Sequence, residues 1–278
     1  MIVLTPSYIL SNPPIPPEHT KIGFDNLVRD STITANTTAA GSYLNALKND
    51  LTYEWWGPTA VPAVLTIDFG DIKTFNYIGI AVHDLGSNGN QISLNKSNDG
   101  LNYEFIEDSQ FFVQDDAPLM VVFEETQARY VQVTISSGTI PKMSVLYIGK
   151  TLDMQRPVRW LGHTPGRFAR TFEKRGTVSR GGQRLGTSVI RQEIAASFDV
   201  MNISQYWTRN VFEEFILSAV KYGYFLAWRP TDYPAEVLFG WTDEAIVPYN
   251  SQRSTSGLMA VSWNMVATGN WEGGVYPW

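Results

Sequence analysis

The stretch from Val64 to His83, VLTIDFGDIKTFNYIGIAVH, constrains the fold more than any other part of the chain. Leu65, Ile67 and Phe69 alternate with polar residues. A Gly-Asp pair then interrupts the pattern, and a run rich in β-branched and aromatic residues resumes up to the histidine. A period of two with such a break is typical of two half-buried strands joined by a short connection. We therefore predict that this stretch is the centre of a β-sandwich.

Short strands recur along the first half of the chain and are separated by turns rich in Gly and Asn. The predicted strands are 64–70, 75–83, 91–96, 102–106, 119–124, 129–136 and 143–149. Asp99-Gly100 supplies one tight hairpin turn, because Gly adopts positive φ freely and Asp tolerates it. No helical pattern is interleaved with these strands, so residues 21–150 are expected to form an antiparallel jelly roll.

The remaining segments predict an arm and a second domain. Residues 1–20 contain NPPIPP, which excludes a helix or a central strand and predicts an extended Pro-rich arm. Residues 151–278 predict an α+β domain, with a long hairpin at about 167–200 and one main helix at about 204–221. The chain ends in GNWEGGVYPW, which we expect to be exposed or bound by a partner. The fold class is thus mainly β, with a jelly-roll sandwich followed by an α+β domain.

Charge is distributed very unevenly along the chain. Residues 1–150 carry 8 basic and 16 acidic side chains, whereas residues 156–191 carry 9 basic side chains and one acidic, net +8. Opposed blocks of this kind favour head-to-tail contact between copies, or contact with a partner, over a solvated monomer. The cations that we predict at an oligomer interface are Arg167, Arg170, Lys174, Arg175, Arg180, Arg184 and Arg191.

Motifs for catalysis, nucleotide binding or membrane insertion do not appear in the sequence. The chain has no cysteine, and its 3 histidines do not have metal-ligand spacing. The segment RGGQRLG, from Arg180, lacks the Gly-Lys-Ser/Thr ending of a phosphate loop. No apolar run reaches the length of a membrane span, and no signal peptide is indicated. We predict a protein without enzymatic activity or sequence-specific nucleic-acid binding, made in the cytoplasm.

Several motifs taken together resemble the discoidin-type module, also called the coagulation factor 5/8 C-terminal domain. They are ALKNDLTYEWWGP, LTIDFG, the hairpin SNDGLNYEF, ARYVQV and a closing MSVLYIGK, within residues 20–150. The resemblance implies an eight-stranded jelly roll that binds sugars or lipid head groups through loops at one end. It also implies a calcium ion held by Asp50, and Trp55 or Trp56 as stacking groups for a carbohydrate. The alternative is that Asp50 is a turn residue and both tryptophans belong to the core.

The combination of a sandwich with a basic, hairpin-bearing second half resembles the structural proteins of a bacteriophage tail tip, of the distal tail or hub type. This resemblance implies a virion protein, assembled in the host cytoplasm, that forms a closed ring through the hairpin. Its partners would be other copies of itself, other tail proteins and a glycan of the host surface.

Two further interpretations of the sequence remain open. The first is a carbohydrate-binding recognition protein that is not part of a ring. The second is a glycan hydrolase with an accessory binding domain, which requires two carboxylates at a catalytic separation in the second half. Glu236, Asp243 and Glu244 are the candidates for that pair.

Overall fold

A computed structural model of the chain describes residues 1–251 and 257–268. It is mainly β, with two eight-stranded sheets and one main helix, which confirms the predicted fold class. The aromatic segment 269–278 lies outside the described residues, so the prediction of an exposed or partner-bound end stays a prediction.

The sixteen strands and the helical segments are as follows. The strands are β1 (Ile2–Leu4), β2 (Lys21–Gly23), β3 (Thr32–Ala35), β4 (Ala63–His83), β5 (Gln91–Ser97), β6 (Glu104–Phe105), β7 (Phe111–Phe112), β8 (Leu119–Ile135), β9 (Met143–Gly149), β10 (Leu152–Asp153), β11 (Arg170–Val178), β12 (Arg184–Ser204), β13 (Tyr224–Ala227), β14 (Val237–Trp241), β15 (Tyr249–Asn250) and β16 (Leu258–Thr268). The helices are α1 (Pro6–Leu10), a 3-10 segment (Leu44–Lys48), and α2 (Gln205–Trp207) and α3 (Glu213–Ala219), which are joined by a π-helical turn (Thr208–Phe212).

The first sheet forms a sandwich because its two longest strands bend. The first part of β4 pairs with the second part of β8, with β3 and β5 on either side. Beyond a shift in register after Asp68, β4 pairs with the first part of β8, next to β9 and β1. Leu65 and Ile80, one from each part of β4, belong to the same buried core. The predicted pair of strands is therefore one continuous strand whose two parts lie in opposite layers.

The second sheet has the order β10-β2-β13-β14-β16-β12-β11, with β15 beside β16. The helical segment packs on it through Phe212, Phe215 and Ala219, and Phe215 meets the ring of Tyr224 edge-on at 4.9 Å. The Ser204 side chain caps the helix by accepting from the N–H of Trp207. The predicted hairpin and helix are both present in this part of the chain.

An aromatic layer joins the two sheets. Tyr77 and Tyr147 of the sandwich pack with Phe225 and Phe239 of the second sheet in one buried cluster, which we call the seam. The Tyr147 ring lies 5.4 Å from that of Phe225 and 5.9 Å from that of Phe239. A Cβ atom on Gly79 would lie 2.7 Å from the Phe225 ring, so this close approach requires glycine. The sandwich and the second sheet are therefore packed as one body.

Two predicted boundaries differ from the structure. Residues 1–10 do not form an extended arm, because β1 pairs in parallel with β8 and Tyr8 of α1 is buried. Lys21, predicted to begin the sandwich, lies in β2 of the second sheet and is fully buried. Its ammonium group bonds Asp153 at 2.9 Å and the Tyr8 hydroxyl at 2.7 Å. Burial lowers the pKa of Lys21, and the Asp153 carboxylate opposes that effect.

Candidate functional site

The hairpin formed by β11 and residues 184–193 of β12 gathers most of the predicted interface cations. Lys174, Arg175, Arg180 and Arg184 are exposed along it, and Arg170 is half-buried at its base. Arg167 is exposed in the loop that precedes β11. Arg191 occupies a position on β12, and nothing is described of its side chain. The structure thus places these positions on or beside one projecting element, whereas their role at an interface stays a prediction.

Local sequence determines how the hairpin turns. The N–H of Ser179 donates to the carbonyl of Gln183 at 2.7 Å, and the N–H of Gln183 donates back to the Ser179 hydroxyl at 3.0 Å. Gly182 has φ of +81°, a conformation that glycine adopts without strain. The pair Gly181-Gly182 therefore lies in the turn of this hairpin.

Register gives the hairpin two different faces. Residues directly opposite each other share a face, and Lys174 pairs with Val189 while Val178 pairs with Arg184. Phe172 lies on the same face, since side chains of a strand alternate. We call this side, with exposed Phe172, Lys174, Val178, Arg184 and Val189, the apolar-cationic face.

On β11, the other side of the hairpin presents the polar residues Thr171, Glu173, Arg175 and Thr177. Leu185 and Ile190 are the unpaired bulge residues of β12, and both are exposed. Sequence reasoning found the cations and missed the apolar set on the first side. That set is recognisable only when the register of the two strands is known, since bulges in β12 interrupt its alternation.

The carboxylate of Asp50 is engaged in protein contacts at the edge of the seam. Its Oδ1 accepts from the Tyr147 hydroxyl at 2.6 Å and its Oδ2 from the N–H of Gly223 at 2.9 Å. The Arg29 guanidinium lies 3.7 Å from Oδ2 and stacks on the Tyr222 ring. Burial, together with the neighbouring Asp50 carboxylate, raises the pKa of Tyr147 far above its usual value. Asp50 therefore links the sandwich to the second sheet, and calcium ligation by it stays a prediction.

Metal ligands do not cluster in the described part of the chain. There, no group of three or more His, Asp or Glu side chains is placed to hold a metal ion.

The two predicted stacking tryptophans have different environments. Trp56 is fully buried in the sandwich core, and its indole N–H donates to the Thr38 hydroxyl at 3.2 Å. This burial corrects the prediction for Trp56, because a ring without an exposed face offers a sugar no stacking surface. Trp55 is half-buried, with the Lys142 ammonium 4.4 Å from its ring centroid. Its role in binding a carbohydrate stays a prediction.

Carboxylates of the second half do not share one environment. Glu236 is buried and accepts from the Trp228 indole N–H at 2.6 Å, whereas Asp243 is exposed. Glu244 lines a cavity of about 360 Å³ on the outer face of the second sheet, together with Asp199. The Arg159 guanidinium binds Asp199 at 3.0 Å and so holds that carboxylate in an ion pair. Glu236 and Asp243 are not among the residues that line this cavity.

None of the helices in residues 1–251 and 257–268 is both long enough and apolar enough to cross a bilayer.

Among known proteins, this chain is similar to solved structures but matches no family model and no curated sequence. A carbohydrate-binding module (CBM32) of Clostridium perfringens, solved with GalNAc-β-1,3-galactose, has 16% identity and a TM-score of 0.40 over 45% of this chain and 99% of the module. The C-terminal domain of a Bacteroides fragilis chitobiase has 22% identity and a TM-score of 0.39 over 46% of this chain and 100% of that domain.

A larger protein, SpGH29, has 18% identity and a TM-score of 0.40 over 46% of this chain, which spans only 28% of the SpGH29 chain. Similar solved structures thus include carbohydrate-binding modules, and the matched parts cover less than half of this chain. A function does not follow from likeness at this level.

Proposed function

We propose that this protein is a structural protein that assembles with other copies of itself through the hairpin. The observation that carries the proposal is the exposure of the hairpin: residues 171–178 and 181–190 are all exposed. An isolated two-stranded ribbon is marginally stable in water at best. A ribbon of this length without a buried side chain therefore needs a surface to lie on.

Composition of the apolar-cationic face supports a protein surface as that partner. Phe172 is 47% exposed, Val178 62% and Val189 54%. Phe172 and Val189 belong to adjacent pairs on this face, and exposed apolar side chains that lie side by side favour an interaction site. Lys174 and Arg184 flank them and form no salt bridge within the described residues. The face is thus suited to a partner that offers both apolar and acidic groups.

The finer form of this proposal is a ring in the tail tip of a bacteriophage virion. It rests on the combined architecture of a sandwich and a hairpin-bearing second half, in which the hairpin joins neighbours and the sandwich is displayed. Other tail proteins would then be the partners above and below the ring. We propose no enzymatic activity for it.

Light scattering of the purified chain tests the assembly. We expect a mass several times 31.2 kDa at low salt, decreasing at high salt because exposed charge pairs are screened. A variant in which residues 172–190 are replaced by a two-residue turn should keep its cooperative unfolding and be monomeric. A wild-type chain that stays monomeric at all concentrations and salt levels, or a hairpin-less variant that assembles normally, would overturn the proposal.

Glycan binding by the sandwich is a second candidate, favoured by a group of aromatic side chains outside the core. Tyr43 is 62% exposed and Tyr53 72%, and the N–H of Tyr43 donates to the carbonyl of Trp55 at 3.0 Å. Aromatic rings at a surface supply stacking area for a sugar ring. The full chain should then bind a member of a broad glycan panel, and Trp55→Ala should abolish that binding while Tyr206→Ala, in α2, leaves it unchanged. Absence of binding across the panel would contradict this candidate.

A further inference from the structure

A second surface of the molecule carries the opposite charge to the apolar-cationic face, since glutamates line it. A groove of about 290 Å³ on the sandwich is lined by Glu104, Phe105, Glu107, Glu124 and Glu125, among others. The four glutamates are exposed, and Phe105 is 49% exposed. We call this surface the acidic groove.

The acidic groove holds four carboxylates against two ammonium groups, since Lys96 also lines it and Lys150 pairs with Glu125. Lys150 binds Glu125 at 2.7 Å, and the Lys96 ammonium donates to the Thr126 hydroxyl at 2.7 Å. Within the described residues, Glu104, Glu107 and Glu124 take part in no salt bridge. The groove therefore has excess negative charge beside an exposed aromatic ring.

The edge of the sandwich sheet is also open at this groove. β6 supplies Glu104 and Phe105 and pairs with β5, and no strand of residues 1–251 or 257–268 lies on its other side. An edge strand leaves backbone groups unpaired, and the two residues of β6 offer only a short site of this kind. The open edge therefore adds a few backbone donors and acceptors beside the charged groove.

We propose that the apolar-cationic face of the hairpin of one copy docks in the acidic groove of a second copy. The proposal rests on the self-association proposed above and identifies the surface that receives the hairpin. Lys174 and Arg184 meet the glutamates, and Phe172 and Val189 cover Phe105.

Several properties of the two surfaces select this occupant over others. A nucleic acid would satisfy the hairpin cations but would leave Phe172 and Val178 exposed, and the glutamates would repel it. A small cation would neutralise the groove but would not cover Phe105. A second copy supplies apolar area and opposite charge together, and complementary charge sets the register of such a contact.

The contact joins two different surfaces of the same chain. Such heterologous contacts close into rings, or extend as filaments when the rotation does not close. The docking therefore accounts for assembly beyond a pair without requiring any other interface.

Cross-linking between two variants tests the docking directly, because the chain contains no cysteine. Phe172→Cys and Phe105→Cys are purified separately, mixed in equal amounts and oxidised mildly. Ile140→Cys, at a side chain 51% exposed, replaces Phe105→Cys in the matched control. We expect the mixed disulfide of Phe172→Cys with Phe105→Cys to form about tenfold faster than the control, since docked surfaces raise the local concentration. Equal rates would overturn the proposal.

Charge reversal gives a second, independent test. Lys174→Glu with Arg184→Glu, or Glu104→Lys with Glu124→Lys, should each weaken assembly by at least about tenfold, because like charges then face each other. Mixing the two reversed variants should restore mixed assembly, as judged by light scattering of the mixture. Failure to restore it would overturn the docking.

The outcomes separate this proposal from the proposed function. Assembly that depends on the hairpin but is unaffected by Glu104→Lys with Glu124→Lys would leave the proposed function standing and overturn the docking. A wild-type chain that is monomeric throughout would overturn both.

Discussion

The two parts of β12 are continuous in sequence and opposite in environment. Residues 194–204 pair with β16 and bury Ile194, Ala196, Phe198 and Val200 in the core of the second sheet. Residues 184–193 pair only with β11 and bury none of their described side chains. The same backbone conformation thus serves as core in one part and as exposed surface in the other.

This difference teaches that strand pairing alone does not account for the hairpin. In the packed part, apolar side chains on alternate positions leave water, which is the main source of stability. In the exposed part, Val189 remains in water. The exposed part therefore gains little of this stabilisation from its own chain.

The largest expected effect contrasts one phenylalanine from each region. Phe198 is 2% exposed and packs against Trp263, so Phe198→Ala should lower the free energy of unfolding by about 3–5 kcal/mol. Phe172→Ala, on the hairpin, should change it by less than about 0.5 kcal/mol and should weaken assembly instead. Urea unfolding and light scattering of both variants check this, and a loss of several kcal/mol for Phe172→Ala would contradict the contrast.

A smaller effect is expected at the seam. Asp50→Ala removes the acceptor for the Tyr147 hydroxyl and for the N–H of Gly223. It should therefore lower the free energy of unfolding by about 1–3 kcal/mol. If the carboxylate acts only through these two hydrogen bonds, the loss of unfolding free energy is the same in the presence of calcium and in the presence of EDTA. Thermal unfolding in both conditions measures it. A cost present only with calcium would favour the metal site that the discoidin resemblance implies.

The packed region should also respond to pH. His83 is fully buried, its Nε2–H donates to the Ala117 carbonyl at 3.0 Å, and burial lowers its pKa from 6.5 to about 4. Between these values the unfolded chain binds a proton that the folded chain does not. Stability therefore falls as pH decreases from 6.5 towards 4, by about 1.4 kcal/mol per pH unit from this group.

Urea unfolding of the wild type and of His83→Gln between pH 4.5 and 7 isolates that contribution. The slope of stability against pH should be smaller in the variant. Equal slopes for the two proteins would contradict the assignment to His83.

The smallest effect is expected for charges at the surface. The Arg129 guanidinium binds Asp68 through two contacts of 2.9 Å, but its side chain is 40% exposed. Arg129→Ala should lower the urea midpoint slightly, and added salt should reduce the difference. Lys174→Ala should not change the midpoint at all. A midpoint that falls more for Lys174→Ala than for Arg129→Ala would mean that the hairpin is stabilised within its own chain.

Part of the fold was predictable because it depends on local chemistry. Gly181-Gly182 indicated a turn, and the alternation in β12 indicated a strand on its C-terminal side. The helix was predicted in place. Its apolar residues do not by themselves define the buried face, because Phe215 and Ala219 are buried whereas Leu217 and Val220 are 65% and 68% exposed. The face that packs is set by the second sheet and follows a π-helical turn that the sequence pattern does not reveal.

The sequence by itself determined the mainly β class, the hairpin turn, the helix and the block of positive charge, because each depends on neighbouring residues. Only the tertiary structure decided that β4 crosses both layers of the sandwich, that Asp50 bonds Gly223, that Trp56 is core, and which residues share a face of the hairpin. These features join residues far apart in the chain. The free energy that stabilises these features comes from burial and from strand register. Both depend on the distant segment that is contacted and not on the local sequence alone.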